Sequence, residues 1–153
     1  MAGIIGQYLE PLLLNAVFGG GAAQSAFTGN ASVYIGVSTA TSPANDAALK
    51  SGEPSATGAY ARITVTNNAT NFPAATGSAP SSKSMNVSFS FPVSTLAWST
   101  GASALASFFI ADASTNGAGN ILWSGPLTPA TDIVNGAGVT FSFAIGALTF
   151  TLN

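Results

Sequence analysis

Few side chains in this sequence could carry chemistry. The 153 residues include no His and no Cys, and they carry three cationic and five acidic side chains, namely Lys50, Lys83, Arg62, Glu10, Asp46, Glu53, Asp112 and Asp132. The chain therefore lacks the usual general base, the thiolate nucleophile and the common zinc ligands. A catalytic carboxylate pair needs two acids about 5–10 Å apart across a substrate, and the spacing of the five acids recommends no such pair. The sequence predicts that the protein is not an enzyme, and it singles out no catalytic, cofactor-binding or metal-binding residue.

The segment from Asp112 to Asn120 comes closest to a metal site, because Asp112, Asn116 and Asn120 supply side-chain oxygens. Calcium prefers oxygen ligands, but no second acidic ligand stands nearby. The glycines within the segment favour a hairpin turn instead. We therefore interpret it as a turn and predict no metal ion or other cofactor.

Arg62 and the two tryptophans are the other candidates for binding. Arg62 opens a predicted strand, where its guanidinium could bind a carboxylate or several carbonyl groups. Two interpretations stay open: an exposed strand arginine, or a guanidinium paired with Asp112 or Asp132, within a subunit or across an interface. Trp98 and Trp123 stand beside apolar, strand-like residues. This placement favours anchors in the core or at its edge over platforms for sugar stacking.

Period-two alternation of apolar and polar residues predicts short strands through most of the chain. The alternation is clearest from Met85 to Phe91. The other predicted strands span residues 32–38, 62–66, 104–111, 120–124, 139–145 and 148–152.

The N-terminal segment has a helical period instead. Apolar residues recur at three- and four-residue spacing from Ile4 to Val17, and Gly19 to Gly21 is the stop signal. Pro11 either kinks the helix or starts its stronger second half. The apolar run, at about 15 residues, is too short to cross a bilayer. The helix either caps the core or docks as an arm on another subunit.

These patterns predict an all-β fold: an antiparallel β-sandwich or small barrel of about seven or eight strands with a short N-terminal helix. Residues 1–20 are the N-terminal helix or arm, and residues 21–153 are a single β-sandwich domain. Residues 40–58 and 67–84 lack periodicity and are predicted long loops, the first with one helical turn at Asn45 to Lys50. Loops this long are usually functional or disordered. We favour loops held against partners, and the two loops and the helix around Leu12 to Phe18 are the predicted contact elements.

The composition limits the classes of partner. Charged residues make up 5% of the chain, against about a quarter in ordinary soluble domains. Three cations give no basic stripe, which excludes nucleic acid and anionic membranes as partners. The polar strand faces carry Ser, Thr and Asn, which are buried against another chain at little cost when hydrogen-bonding groups match. We predict a subunit of an assembly that makes repeated contacts with copies of itself or with a host lattice; a small extracellular domain of low charge is the alternative.

Several short strings stand in an order that resembles a known family. They are Leu14–Gly20 (LNAVFGG), Val33–Ala40 (VYIGVSTA), Gly58–Arg62 (GAYAR), Phe91-Pro92 with Trp98 after it, Phe109–Ala113 (FIADA), Gly119–Leu127 (GNILWSGPL) and Gly146–Leu148 (GAL). The series resembles small tailed-bacteriophage virion proteins, described as tail-fibre-like or minor capsid proteins, over nearly the whole chain except the two long loops. The resemblance implies a structural, non-enzymatic virion subunit. An acidic residue that the family often has near its final strands is missing at Gly136 to Gly138, so no role is carried over to that position.

Two placements in the virion follow from the resemblance. A capsid decoration, or cement, protein would lie on the outer capsid surface as a homotrimer and bind the major capsid protein. It would stabilise the shell because it binds the assembled lattice and not the free subunit. The alternative is a tail-fibre or tail-tip subunit that contacts the host surface. The short, compact chain favours decoration.

Overall fold

A computed structural model describes residues 4–18, 29–42, 44–77, 81–99, 103–131 and 138–152. Two α-helices and a 3₁₀ turn lie within these ranges: α1 (Leu9–Phe18), α2 (Asp46–Ser51) and the turn Ala56–Gly58. The strands are β1 (Ile4–Ile5), β2 (Ser32–Ser38), β3 (Ile63–Thr66), β4 (Ser81–Ser84), β5 (Phe89–Ser90), β6 (Leu105–Ala111), β7 (Ile121–Thr131), β8 (Ser142–Phe143) and β9 (Thr149–Leu152).

The large sheet has five antiparallel strands in the order β1-β7-β6-β2-β3. Its central strand, β6, is apolar on both faces, because Phe108 and Ile110 alternate with Phe109 and Ala111 and all four are buried. Gly36, on β2, lies opposite Phe109 of β6. A Cβ atom at this glycine would overlap the Phe109 ring. The large sheet therefore has two apolar faces that other elements must cover.

One face of the large sheet is covered by two small antiparallel sheets, β4-β9 and β5-β8. Ile35 and Phe108 from the large sheet meet Phe143 and Leu148 from the small-sheet layer in the main core. The rings of Phe108 and Phe143 cross edge to face, with centroids 6.1 Å apart. Two layers of antiparallel strands enclose this core, which confirms the predicted all-β sandwich.

The opposite face is covered by the segment that contains α2. Leu49 packs there with Phe109 and Ile121 in a second buried cluster. Asn45 caps the helix by accepting a hydrogen bond from the backbone N–H of Ala48, at 2.8 Å. The helical turn predicted at Asn45 to Lys50 is confirmed as α2. Pro43, which precedes the helix in the sequence, lies outside the described residues.

The N-terminal segment is not one helix from Ile4 to Val17. The first described residues form β1 at an edge of the large sheet, and the helix begins only at Leu9. Pro11 lies in the first turn of α1, where a missing N–H removes no intrahelical bond, so it helps to start the helix. Helix α1 ends at Phe18, and the predicted stop at residues 19–21 lies outside the described residues. None of the described helices is long and apolar enough to cross a membrane.

The strand predicted at residues 85–91 is shortened to β5. The preceding strand β4 pairs with β9, whereas β5 pairs with β8, so the pairing is interrupted between β4 and β5. The interruption occurs where the chain turns between the pairing strands β8 and β9. In this turn the N–H of Ala147 donates to the carbonyl of Ala144 at 3.0 Å, and Gly146 takes a φ of 75°. The strand predicted at 139–145 is shortened to β8, and the same turn follows its C-terminal end.

Two further strand boundaries differ from the prediction. Strand β4 occupies the end of the segment predicted as the loop 67–84; its sequence, Ser-Ser-Lys-Ser, has no apolar alternation that would have revealed it. Strand β7 continues past the predicted end at Ser124 to Thr131, and it pairs with β6 at Pro126 and again at Thr131, with an irregularity between them.

Candidate functional site

Arg62 lies buried in a bidentate ion pair with Glu53. Its Nε is 2.7 Å from Oε1 and its Nη2 is 2.7 Å from Oε2 of the carboxylate. The side chains are 0% and 1% exposed, and the guanidinium carbon lies 5.0 Å from the ring centroid of Phe109. The interpretation as an exposed strand arginine is therefore wrong, since Arg62 is buried, and its carboxylate partner among the described residues is Glu53 and not Asp112. Asp132 lies outside the described residues.

Tyr60 adds a hydroxyl to the same carboxylate. It donates to Oε1 of Glu53 at 2.9 Å and accepts a hydrogen bond from the backbone N–H of Val37 at 3.1 Å. Burial, and after it the negative charge of Glu53, raise the pKa of the Tyr60 hydroxyl well above its usual value of about 10. The hydroxyl therefore stays protonated and links strand β2 to the ion pair.

The ion pair holds the hairpin between β6 and β7. Nη1 of Arg62 donates to the carbonyl oxygens of Ala113 and Ala118, at 2.7 and 3.0 Å. Oε2 of Glu53 accepts a hydrogen bond from the backbone N–H of Gly117 at 2.8 Å. We call this set of residues the polar clamp: Glu53, Tyr60, Arg62, Ala113, Gly117 and Ala118.

Two more hydrogen bonds join the hairpin to the α2 segment. Lys50, in the last turn of α2, donates through Nζ to the carbonyl oxygen of Gly119 at 3.1 Å. Asn116 donates through Nδ2 to the carbonyl oxygen of Pro54 at 2.8 Å. The hairpin and the segment beside α2 are thus joined along their length by contacts between residues far apart in sequence.

Asp112 and Asn120, two of the three candidate calcium ligands in the segment 112–120, close the base of the hairpin. Oδ1 of Asp112 accepts from the backbone N–H of Asn120, and Oδ2 accepts from its side-chain amide, both at 2.7 Å. Gly117 and Gly119 take φ values of 69° and 73°, which an L side chain rarely adopts. The oxygen-rich segment is a glycine-dependent hairpin turn, as interpreted from its glycines.

The chemical capacity of the polar clamp follows from its hydrogen bonds. Each carboxylate oxygen of Glu53 already accepts two: Oε1 from Arg62 and Tyr60, and Oε2 from Arg62 and Gly117. Such a carboxylate is poorly placed to take a proton from a substrate, which needs a hydrogen bond of its own. The arrangement positions a loop, and at the tip of that loop the exposed residues are Ser114, Thr115 and Gly117.

The tryptophans lie where the sequence indicated. Trp98 is 5% exposed, and its indole N–H donates to the carbonyl oxygen of Gly58 at 2.7 Å. Trp123 is 9% exposed and crosses the Phe150 ring edge to face at 5.6 Å. The prediction that both are anchors in the core or at its edge is confirmed.

Helix α1 presents a different kind of surface. Leu9 and Leu13, one turn apart, are half-buried, whereas Leu12 is 39% and Leu14 54% exposed. The helix is joined to the large sheet through β1 and through Gly6, whose N–H bonds the carbonyl of Leu122 at 2.9 Å. These exposed leucines lie in the helical segment predicted as a contact element.

Comparison with known proteins gives one finding. A family model described as "Podophage GP4 fiber I protein gp80" matches residues 5–151. No curated protein matches the chain.

Proposed function

The chain belongs to the podophage GP4 fiber I protein gp80 family, and from this membership we propose that it is a structural subunit of a fibre on the virion of a short-tailed bacteriophage. Membership confirms the resemblance to tailed-phage virion proteins that its sequence showed, and with it a structural role in the virion. The fibre is the finer step of the proposal. It is carried by the match, whose residues 5–151 include helix α1 and nearly all of the described sandwich.

The surface of the described residues supports a role in assembly. The exposed large apolar side chains include Leu14 on α1, Leu96 before β6 and Ile145 in the turn between β8 and β9, at 54, 56 and 65%. A contact with another chain would remove this apolar area from water, which is favourable. As part of the proposal the subunit contacts copies of itself, and we keep the homotrimer predicted from its sequence.

The proposal includes no catalysis. The polar clamp is the most elaborate group of titratable side chains that the structure describes, and its carboxylate oxygens are fully used in holding the β6-β7 hairpin. We likewise propose neither nucleic acid nor membrane as a partner, since the sequence has only three cationic side chains and two of them, Lys50 and Arg62, bond within the chain.

Capsid decoration is the second candidate, with the major capsid protein as partner and the outer capsid surface as location. The described residues favour it because they form one sandwich around a main core, whereas fibre shafts are usually long and repetitive. A compact subunit that binds only the assembled lattice would stabilise the shell by linkage.

Copy number and location in the virion separate the two candidates. Quantitative mass spectrometry of purified particles should give few copies per particle for a fibre subunit and hundreds for a decoration protein. Immunogold labelling should place a fibre subunit at the tail. Labelling spread over the capsid, with hundreds of copies, would overturn the fibre proposal in favour of decoration, and absence from purified particles would overturn both.

A further inference from the structure

The tip of the β6-β7 hairpin contains the dipeptide Asn116-Gly117. The backbone nitrogen of a glycine can attack the side-chain carbonyl carbon of a preceding asparagine, since glycine has no side chain to obstruct the approach. The carbon–nitrogen bond to Nδ2 then breaks, and the side-chain amide leaves as ammonia with the proton of the backbone N–H. Water opens the resulting succinimide ring to aspartate or isoaspartate. The tip therefore holds the two groups that deamidation requires.

The turn at the tip directs these two groups away from each other. The N–H of Ala118 donates to the carbonyl of Thr115 at 3.1 Å, Gly117 has a φ of 69°, and the φ of Asn116 is not positive. These values define a type II turn, in which the first central residue has a ψ of about +120°. Succinimide closure instead needs the Gly117 nitrogen on the same side of the Cα–C bond as the Cβ of Asn116. The turn must therefore rotate about this bond before the ring can form.

Both reacting groups are also bound to the segment that follows α2. Nδ2 of Asn116 donates to the carbonyl oxygen of Pro54, and the N–H of Gly117 donates to Oε2 of Glu53, both at 2.8 Å. The attack requires Gly117 to lose its N–H proton. A carboxylate beside that N–H disfavours the loss, because a second negative charge would develop next to the first.

Arg62 fixes the backbone on either side of the dipeptide. Its Nη1 donates to the carbonyl oxygens of Ala113 and Ala118, at 2.7 and 3.0 Å, and its side chain is buried. Rotation of the turn would pull these carbonyl groups from a buried cation, which is costly because the cation would lose its acceptors. The hairpin can therefore change conformation only when the polar clamp opens.

We propose that Asn116 is a deamidation site and that the polar clamp keeps it unreactive in the native chain. The reaction proceeds through molecules whose hairpin has opened, so its rate follows the population of the open form. The product has a carboxylate at position 116, which cannot donate to the carbonyl of Pro54 and adds a negative charge near Glu53. A modified hairpin therefore cannot restore its original contacts. The proposal does not depend on the fibre role.

Deamidation rates in the full chain test the proposal. The unmodified chain, Arg62→Met and Glu53→Gln are incubated in mildly alkaline buffer, and aspartate and isoaspartate at position 116 are measured by peptide mapping with mass spectrometry. Each variant should raise the native rate about tenfold or more, because it opens the clamp or removes the carboxylate charge. In urea, Asn116 should react about as fast as Asn135, the other asparagine followed by glycine, and the unmodified native chain should react about tenfold or more slowly at Asn116 than in urea.

A core variant separates opening of the clamp from loss of overall stability. Phe143→Ala weakens the main core and leaves every clamp residue in place, so at a matched urea midpoint it should raise the rate at Asn116 clearly less than Arg62→Met does. If Arg62→Met or Glu53→Gln does not fold, Tyr60→Phe takes its place, since it removes one hydrogen bond from Glu53 and should also raise the rate. The proposal is overturned by equal rates at Asn116 in native and urea-unfolded chains, by clamp variants that do not accelerate the reaction, or by Phe143→Ala accelerating it as much as they do.

Discussion

The polar clamp buries its charges completely, whereas α1 leaves a large part of its apolar surface exposed. In the clamp, Glu53 and Arg62 are removed from water and every carboxylate oxygen is bonded. In α1, Leu12 and Leu14 face solvent in the single chain. An isolated domain usually has the reverse arrangement, with charges outside and leucines inside. The comparison teaches that this chain uses charge to fix its own hairpin and leaves leucine side chains of α1 exposed.

The energetics of the two regions differ accordingly. A buried ion pair adds little net stability over a well-packed apolar replacement, but removing one partner is costly because a buried charge remains. Its effect in the clamp is to favour one conformation of the β6-β7 hairpin. The exposed leucines of α1 contribute little to the single chain and gain their stabilising effect only when another surface covers them.

The largest expected effect tests the clamp. Arg62→Met leaves the Glu53 carboxylate buried without its counter-charge and should lower the free energy of unfolding by about 3–5 kcal/mol, measured by urea denaturation. The double variant Glu53→Gln/Arg62→Met removes both charges and should lose much less. A loss under about 1 kcal/mol for Arg62→Met would mean that the pair is open to water and that the two regions differ less than the structure indicates.

A substitution in the main core gives a reference value for the clamp. Phe143 is 4% exposed, and Phe143→Ala should lower the free energy of unfolding by about 3–5 kcal/mol. Phe89, its cross-strand neighbour, is only half-buried and should cost clearly less. Urea unfolding of both variants measures the two losses of unfolding free energy. Equal losses would show that Phe89 is buried as deeply as Phe143, contrary to the structure.

An intermediate effect is expected at Tyr60. Tyr60→Phe removes the hydroxyl that donates to Glu53 and accepts from the N–H of Val37, which leaves a buried N–H without its partner. The free energy of unfolding should fall by about 1–3 kcal/mol. Tyr34→Phe, on a half-buried tyrosine of β2, is the matched control and should change stability much less.

The same substitution has a pH signature. In the unfolded chain Tyr60 loses its proton as the pH rises through about 10, whereas burial raises its pKa in the native state, which keeps the proton. The native state then binds more protons than the unfolded state, so the free energy of unfolding falls as the pH rises above about 10. Tyr60→Phe should remove part of that fall. Identical slopes in the two proteins would show that the hydroxyl is not buried as described.

The smallest expected effect is on α1. Leu14→Ser should change the free energy of unfolding of the single chain by no more than about 0.5 kcal/mol, since Leu14 is exposed there. Leu13→Ser, at a half-buried position of the same helix, should cost more. The measurement is urea unfolding at a protein concentration low enough to keep the chain monomeric. A large loss for Leu14→Ser would show that α1 is covered within one chain, and the contrast with the clamp would disappear.

Much of the fold could be predicted because it depends on local pattern. The alternation at Val33, Ile35 and Val37 gave strand β2 within its correct bounds, and Asn45 with its following residues gave α2. The break between β4 and β5 could not be predicted, because it is set by a turn in the partner strands about 60 residues further along the chain. The Ser-Ser-Lys-Ser sequence of β4 has no apolar residue, so only its pairing with β9 reveals it.

The candidate site is harder to predict than the fold. Arg62 is the one arginine in the sequence, but its partner Glu53 stands in a segment without periodicity, and nothing in the sequence connects the two. The carbonyl groups of Ala113 and Ala118 that complete the clamp are 51 and 56 residues from Arg62. Backbone acceptors leave no trace in side-chain pattern, so no reading of residue types could find them.

The amino-acid sequence by itself determined the antiparallel β class, the scarcity of charge and the apolar helix near the start of the chain, because periodicity and composition act over a few residues at a time. Only the tertiary structure decided which charges are buried together and which remain free. That outcome depends on strand pairing between distant segments: it brings Glu53, Arg62 and the β6-β7 hairpin to one place and leaves Glu10 and Lys83 without partners in the described chain. The physical reason is that burial and pairing are set by neighbours in space, and the order of strands in the sheets chooses those neighbours.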